Sequence, residues 1–307
     1  MDVLVTGGGG FIGRNLTERL VKDCHKVTIT ANGSEPVVPG VEKVLYPTLE
    51  GIDWMHVSGK DVVFHQMANN DTRCFDNTEM WRANVYGPIK LFMTALEGGC
   101  KRFVYASSMA VYGNAPVPYT EETPLNPLIP YAASKVAFDK FAMNFAKENN
   151  VSVIGLRYSN VYGPGESNKG KRMSMIGQII RKMMAEENVV LFKDGTQKRD
   201  WVHVKDVVEA NILASESGRY GVYNIGAGDS WTFNEVFDEA WTAIKIKTCH
   251  MDLKKPLSIP KIEYIDCPFP ETYQSHTECS IEKAKQEHGY VPEYDLKSGV
   301  RQYVDSF

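Results

Sequence analysis

The run from Met1 to Thr6 is short, apolar and β-like. It breaks directly into Gly7, Gly8, Gly9, Gly10, Phe11, Ile12 and Gly13, and a helical pattern follows from Asn15 to Val21. Strand, glycine turn and helix in that order constrain the fold more than any other stretch of the chain. Glycines at 7, 10 and 13 have separate tasks: one makes the tight turn, one lets a pyrophosphate approach the backbone, and one lets the helix lie close on the strand. The free N–H groups at the helix start then face the pyrophosphate.

The alternation continues. Val27 to Thr30, Val62 to His65, Arg102 to Ala106 and Ser152 to Arg157 are strand-like, and helical stretches run from Glu79 to Gly98 and from Tyr131 to Asn149. Such a pattern specifies an α/β fold, a Rossmann-type doubly wound parallel sheet with helices on both faces. Ligands bind beyond the carboxyl ends of its strands, where Gly7, Ala68, Ser108 and Asn160 fall. From about Gly163 the pattern loosens into loops, a helix from Ser174 to Glu187, and proline-rich connections at Pro256, Pro260, Pro268 and Pro270. This divides the chain into a dinucleotide-binding domain, 1–162, and a smaller α/β C-terminal substrate lobe, 163–307. The two are interleaved through returns to the sheet near 200–228, at His203 to Asp206 and Gly221 to Ile225.

A second constellation supplies chemistry. Tyr131 and Lys135 stand four residues apart in a helix-forming run, so phenol and ammonium share one face. An ammonium beside a phenol is expected to lower the phenol's pKa towards neutrality, which lets Tyr131 give and take protons. Ser108 offers a hydroxyl that holds a substrate oxygen meanwhile. Together with the glycine turn, this set indicates hydride transfer on an alcohol or ketone.

Composition agrees with a globular enzyme: 307 residues, 43% of them hydrophobic, are enough to bury a large core. The net charge is only -4, with 34 basic and 38 acidic residues interspersed, which argues against a nucleic-acid or membrane partner. Met1-Asp2 leads straight into the first strand without a basic leader or long apolar segment, and six scattered cysteines lack a C-x-x-C pair. A cytoplasmic protein with reduced thiols is the expectation. His65, His203 and His276 do not share metal-ligand spacing and read as hydrogen-bonded histidines; no metal is expected.

Thr6-Gly7-Gly8-Gly9-Gly10-Phe11-Ile12-Gly13, Tyr105-Ala106-Ser107-Ser108, Tyr131-Ala132-Ala133-Ser134-Lys135 and Arg157-Tyr158-Ser159-Asn160-Val161-Tyr162-Gly163-Pro164 resemble the extended short-chain dehydrogenase/reductase family, whose members modify nucleotide-diphosphate sugars. Within it the chain is most similar to ADP-L-glycero-D-manno-heptose 6-epimerases, through Asn168-Lys169-Gly170, Leu191-Phe192, Lys198 to Val204 and Tyr273 to Thr277. The resemblance implies catalytic roles for Ser108, Tyr131, Lys135 and Lys169. It implies cofactor contacts from Gly7, Gly10, Phe11, Ile12, Gly13, Asn32, Met67, Ala68, Asn84, Val161, Tyr131 and Lys135. Asn69, Ser108, Asn160, Lys169, Phe192, Arg199 and Tyr273 would meet a nucleotide-diphosphate sugar. Arg199 would bind its diphosphate, the rival reading being an ion pair with Asp200. Lys169 would be a second acid/base on the far face of the reacting carbon; the rival is a basic patch with Lys171, Arg172 and Lys182 that only grips phosphate.

The second strand ends Thr28-Ile29-Thr30-Ala31-Asn32 without the carboxylate that NAD enzymes offer to a ribose diol. Arg14 could meet a 2'-phosphate, so NADP is the expected cofactor, with NAD the alternative. The expected activity is epimerisation by transient oxidation. A 4-epimerase, a net dehydrogenase or reductase, and a non-catalytic sugar-nucleotide binding module are the rivals. Dehydration is disfavoured because Met109-Ala110, not Asp-Glu, follow Ser108. Relatives pair through the helical stretches Glu79 to Gly98 and Tyr131 to Asn149, so a homodimer or dimer-based oligomer is expected.

Overall fold

The computed structural model describes residues 1–31, 33, 38–45, 49–71, 76–249 and 258–307, the side chains of residues 50, 168 and 171 excepted. Six strands, β1 (Asp2–Thr6), β2 (Lys26–Ala31), β3 (Glu42–Leu45), β4 (Val62–His65), β5 (Arg102–Ser108) and β6 (Ser152–Tyr158), join the strand Gly221–Ile225 in one seven-stranded sheet. Its order from one edge is Gly221–Ile225, β6, β5, β4, β1, β2, β3. Every neighbouring pair is parallel; Val5, for example, lies between Ile29 and Phe64. Strand order reverses between β1 and β4, and at such a reversal a crevice opens above the carboxyl ends.

The strands read as apolar runs because both faces are covered. Successive residues of β1 feed opposite cores. Val3 and Val5 meet Leu16 and Leu20 of the helix Phe11–Lys22 and Val207 and Val208 of the helix Val204–Glu216. Leu4 faces the other way, among Phe92, Phe103 and Phe138. A further apolar cluster joins Ile176, Ile179 and Met183 to Val236, Ala240, Val300 and Val304, from the helices Met175–Met184, Phe233–Thr248 and Leu296–Asp305.

Several elements depart from expectation. β3 is an edge strand of sequence Glu-Lys-Val-Leu, too short and charged to announce itself. The stretch Glu79 to Gly98 is not one α-helix: a π-turn, Arg82–Tyr86, separates Asn77–Trp81 from Gly87–Glu97. His203 to Asp206 does not rejoin the sheet. Trp201–His203 pairs instead with Asn160–Tyr162, and His203 then caps the next helix through Lys205 N. Gly221–Ile225 does join the sheet, beside β6.

A buried ion pair fastens the helix Pro130–Asn149 to the sheet. Arg157 Nε of β6 donates to Asp139 Oδ2 at 3.0 Å, Tyr105 of β5 donates to Asp139 Oδ1 at 3.0 Å, and Arg157 Nη1 reaches the Tyr112 hydroxyl at 2.8 Å. Tyr112 passes the chain on to Asn224 Oδ1 at 2.7 Å, on the strand Gly221–Ile225. Losing one partner of such a pair strands a charge in the core, at about 3–5 kcal/mol. The network is therefore an orienting lock more than a source of net stability.

Candidate active site

At the end of β1 the chain turns through Gly7 at φ +67°, where a Cβ would stand 3.0 Å from the Met67 Cα. Gly13 lets the helix settle on the turn, since a Cβ there would sit 2.1 Å from the Gly7 carbonyl oxygen. Gly8 carries a requirement the sequence reading did not assign: its Cβ would collide with Ile29 of β2 at 2.5 Å. Gly10 is exposed, no side chain caps the helix, and its first turn holds no acidic residue. Phe11 and Ile12 open that turn, whose N–H groups are the ones a helix leaves without internal partners. Close backbone and free donors fit a dinucleotide pyrophosphate.

The opposite bank of the crevice follows β4. Met67 N donates to Thr6 Oγ1 at 3.3 Å, and Asn69 exchanges two 2.8 Å bonds with Asn84. Asn84 is 2% exposed and also donates to Ser134 Oγ at 3.1 Å. It holds the loop in place from within rather than presenting a free amide. Met67, Ala68 and Asn69 line a cavity of about 280 Å³ together with Leu49 and Arg172. Asn32 lies outside the described residues.

A larger cavity of about 930 Å³ lies between the carboxyl ends of β5 and β6 and the C-terminal segments. Ser108, Tyr131, Asn160, Val161, Phe192, Arg199 and Tyr273 all line it. Ser108 caps a short turn through Ala110 N at 3.2 Å, leaving its hydroxyl at the cavity wall. Asn160 Nδ2 is held by Asp200 O and Thr277 Oγ1, each at 3.2 Å. Phe192 meets Phe269 and Tyr273 edge-on at 5.6 and 5.7 Å. Arg199 is only 8% exposed, bonds to Lys198 O at 2.7 Å, and lies over the rings of Tyr273 and Phe233 at 5.0 and 5.5 Å. Among the described residues no carboxylate pairs with it. Asp200 is taken by Ala227 N at 2.8 Å and Cys279 N at 3.3 Å, and burial pushes its carboxyl up to about 6. The ion pair Arg199–Asp200 does not form.

The phenol behaves differently from the sequence expectation. Burial holds Tyr131 above the ordinary phenol value, opposed by the Ser108 hydroxyl rather than by Lys135. The Lys135 ammonium is 5.8 Å from the centre of the Tyr131 ring and donates to Ala106 O at 2.8 Å. The ammonium is thus engaged by a backbone carbonyl, and desolvation of the phenolate dominates. Lys135 itself, 5% exposed, is pulled by burial down to about 8, while Asp139 one turn further on opposes the shift.

Lys169 is absent from the lining of the large cavity. Its ammonium stands 3.8 Å from Glu166 Oε2 and 4.9 Å from the centre of the Phe11 ring, beside the glycine turn. Arg14, offered as a 2'-phosphate partner, pairs with Glu18 at 2.9 Å. His65 lies 2.7 Å from Thr6 Oγ1, and His203 Nε2 lies 3.0 Å from Gln302 Oε1; burial lowers them to about 3 and about 4, so both are neutral at working pH. The sequence reading missed Asp139, Glu166 and Phe269. Asp139 had a signal, being a second i, i+4 step beyond Lys135; the others sit in loop or lobe segments whose folding brings them in.

Residues 3–226 match the model of the NAD dependent epimerase/dehydratase family. The chain is 31% identical to the ADP-L-glycero-D-manno-heptose-6-epimerase of Alkalilimnicola ehrlichii, over 99% of this chain and 97% of that one. It superposes on the UDP-N-acetylglucosamine 4-epimerase of Methanobrevibacter ruminantium, solved with UDP-N-acetylmuramic acid, with a TM-score of 0.88, 28% identity, and 100% and 97% of the two chains covered. For the UDP-glucose 4-epimerase of Thermus thermophilus, solved with NAD, the TM-score is 0.85 at 27% identity, covering 100% and 98%.

Lys135 lends itself to a stability test. Its folded-state pKa of about 8 lies below the 10.5 of a solvated lysine, so between those pH values the unfolded chain binds more protons and stability rises with pH. Lys135→Met should remove that rise. At neutral pH it should stabilise the cofactor-free protein by about 1–3 kcal/mol, allowing for the lost bond to Ala106. Urea denaturation at neutral pH and near pH 10 measures both. A destabilised variant that keeps the parental pH slope contradicts the desolvated ammonium.

Proposed function

The chain belongs to the NAD dependent epimerase/dehydratase family, and from that premise we propose that it inverts one carbinol carbon of a nucleotide-diphosphate sugar by transient oxidation and return of hydride to the opposite face. The observation that carries this reading is Arg199: a buried guanidinium with no carboxylate partner among the described residues, lining the same cavity as Ser108 and Tyr131. Burying such a charge is costly unless an anion meets it, and its planar fork matches a diphosphate. The cavity thus offers an anchor for the phosphates and, within the same space, groups for handling a hydroxyl.

The dinucleotide supplies the hydride acceptor and donor. Tyr131 exchanges the hydroxyl proton and Ser108 holds the oxygen while it does so. Lys135, one helical turn along, is the positive charge available to balance a phenolate, and Asp139 opposes the loss of that charge to burial. Phe192, Phe269 and Tyr273 form an aromatic wall against which a base or sugar face can lie. Met109 and Ala110 supply no carboxylate beside Ser108, which disfavours elimination of water.

The heptose epimerase reading uses Lys169 as a second acid/base. Its contacts with Glu166 and Phe11, away from the lining of the large cavity, favour the 4-epimerase reading instead. There Tyr131 alone serves both faces and the keto sugar turns within the cavity. For the cofactor we favour NADP: β2 ends without a carboxylate, and Lys43 Nζ from β3 bonds to Gly33 O at 2.6 Å, just past the end of β2.

A homodimer is the assembly we propose. Leu91, Phe92 and Phe138 are used within the chain, but Phe141 and Phe145 of the helix Pro130–Asn149 and Ile89 and Met93 of the helix Gly87–Glu97 remain partly exposed side by side. Sedimentation at micromolar concentration should give the mass of two chains; a pure monomer contradicts it.

The activity is tested with ADP-heptose, UDP-glucose and UDP-N-acetylglucosamine, with and without added NADP or NAD. One of the three should be inverted without stoichiometric cofactor consumption. Tyr131→Phe should cost about two to four decades of that rate while dinucleotide binding persists. Net accumulation of reduced dinucleotide would make the protein a dehydrogenase, and an active Tyr131→Phe protein would remove the phenol from the mechanism.

A further inference from the structure

Residues 164–172 cross from the C-terminal lobe back over the glycine turn. Asn15 Nδ2, on the helix that follows the turn, donates to Pro164 O at 3.0 Å. Glu166 is fully buried and accepts from Ser174 N at 2.7 Å and from Ser174 Oγ at 2.6 Å, which ties the segment to the cap of the helix Met175–Met184. From there Lys169 leans over Phe11, the first residue of the helix whose free N–H groups face the crevice. Gly170, at φ +54°, kinks the backbone between two short turns. Beyond the kink, Arg172 Nη1 reaches Asn70 Oδ1 at 3.4 Å and lines the smaller cavity with Met67, Ala68 and Asn69. The segment therefore touches both banks of the crevice, the glycine-turn helix and the loop after β4.

Its charges are unbalanced. Residues 164–172 carry Lys169, Lys171 and Arg172 against one carboxylate, Glu166, which stands 3.8 Å from Lys169 and already accepts two bonds from Ser174; Arg172 shares the lining of the smaller cavity with Glu79. Burial and the Arg172 charge both hold Lys169 below the ordinary lysine value, and an anion placed between the two cations would reverse that. The floor beneath them is the helix N-terminus already fitted to a pyrophosphate.

We propose that Lys169 and Arg172 form a cationic clasp over the pyrophosphate of the bound dinucleotide, which keeps the cofactor on the protein between turnovers. The inference rests on the dinucleotide reading above and assigns Lys169 to cofactor retention rather than to the reacting carbon. An enzyme that returns hydride to the molecule it came from gains from slow cofactor release, whereas a net dehydrogenase must exchange cofactor every turnover.

The test is dissociation of NADPH and NADH from the full-length protein, followed by nicotinamide fluorescence after displacement with excess oxidised dinucleotide at two salt concentrations. Lys169→Met and Arg172→Gln should each speed release about tenfold and flatten its salt dependence, as loss of one charge-assisted phosphate contact requires. Lys169→Arg should stay slow, which separates lost charge from lost fold. Parental release rates in both neutral variants overturn the clasp, and if Lys169→Met has then lost inversion, its lysine acts on the substrate. A parental chain that binds neither dinucleotide overturns the functional reading itself.

Discussion

The reacting end of this protein depends on the buried pair Asp139–Arg157. Arg157 sits on β6, Tyr105 beside it on β5, and both grip a carboxylate on the helix Pro130–Asn149. One turn before Asp139 on that helix comes Lys135, and one turn before that Tyr131; at the end of β5 comes Ser108. The two groups proposed to handle the substrate oxygen, Tyr131 and Ser108, and the ammonium proposed to balance the phenolate are thus set by a single bond network. A buried ion pair adds little net stability, but it tolerates few alternative geometries. Its continuation through Tyr112 to Asn224 ties the same network to the edge strand Gly221–Ile225.

Two cationic features flank the reacting groups, and they face different anions. Arg199, clamped between Phe233 and Tyr273, belongs to the large cavity. Lys169 and Arg172 belong to the crevice above the glycine turn. Under the proposed function, charge sorts the site into a substrate end and a cofactor end, with Tyr131 and Ser108 lining the large cavity. Desolvation makes Arg199 and Lys169 more demanding of an anionic partner than exposed cations such as Arg172, which suits the two phosphorylated molecules of the proposed reaction.

Much of the fold was legible in the sequence because a parallel sheet buried on both faces must be written as apolar runs, as in Val3-Leu4-Val5 and Val62-Val63-Phe64. β3 escaped because an edge strand of four residues with Glu42 and Lys43 carries no such run. The helix Phe233–Thr248 carried a signal that went unused: Thr232 and Glu235 form a capping box. In the site, local spacing located Tyr131, Lys135 and the glycines, whose neighbours lie within a turn or two. The contacts of Lys169, the lack of a carboxylate beside Arg199 among the described residues and the bond of the Lys135 ammonium to a backbone carbonyl were not legible. Each depends on which distant backbone or side chain the fold brings near: Phe11 and Glu166, Tyr273 and Phe233, and Ala106.

The central claim is that one bound dinucleotide takes hydride from the substrate and gives the same hydride back while Tyr131 and Ser108 handle the oxygen. Inversion carried out in deuterium oxide tests it most directly, with the product analysed by mass spectrometry and proton resonance at the inverted carbon. With hydride held on the dinucleotide, this carbon keeps its original hydrogen, with no deuterium taken from solvent. Incorporation of deuterium there would mean inversion through solvent-exchanged proton removal, and would contradict it.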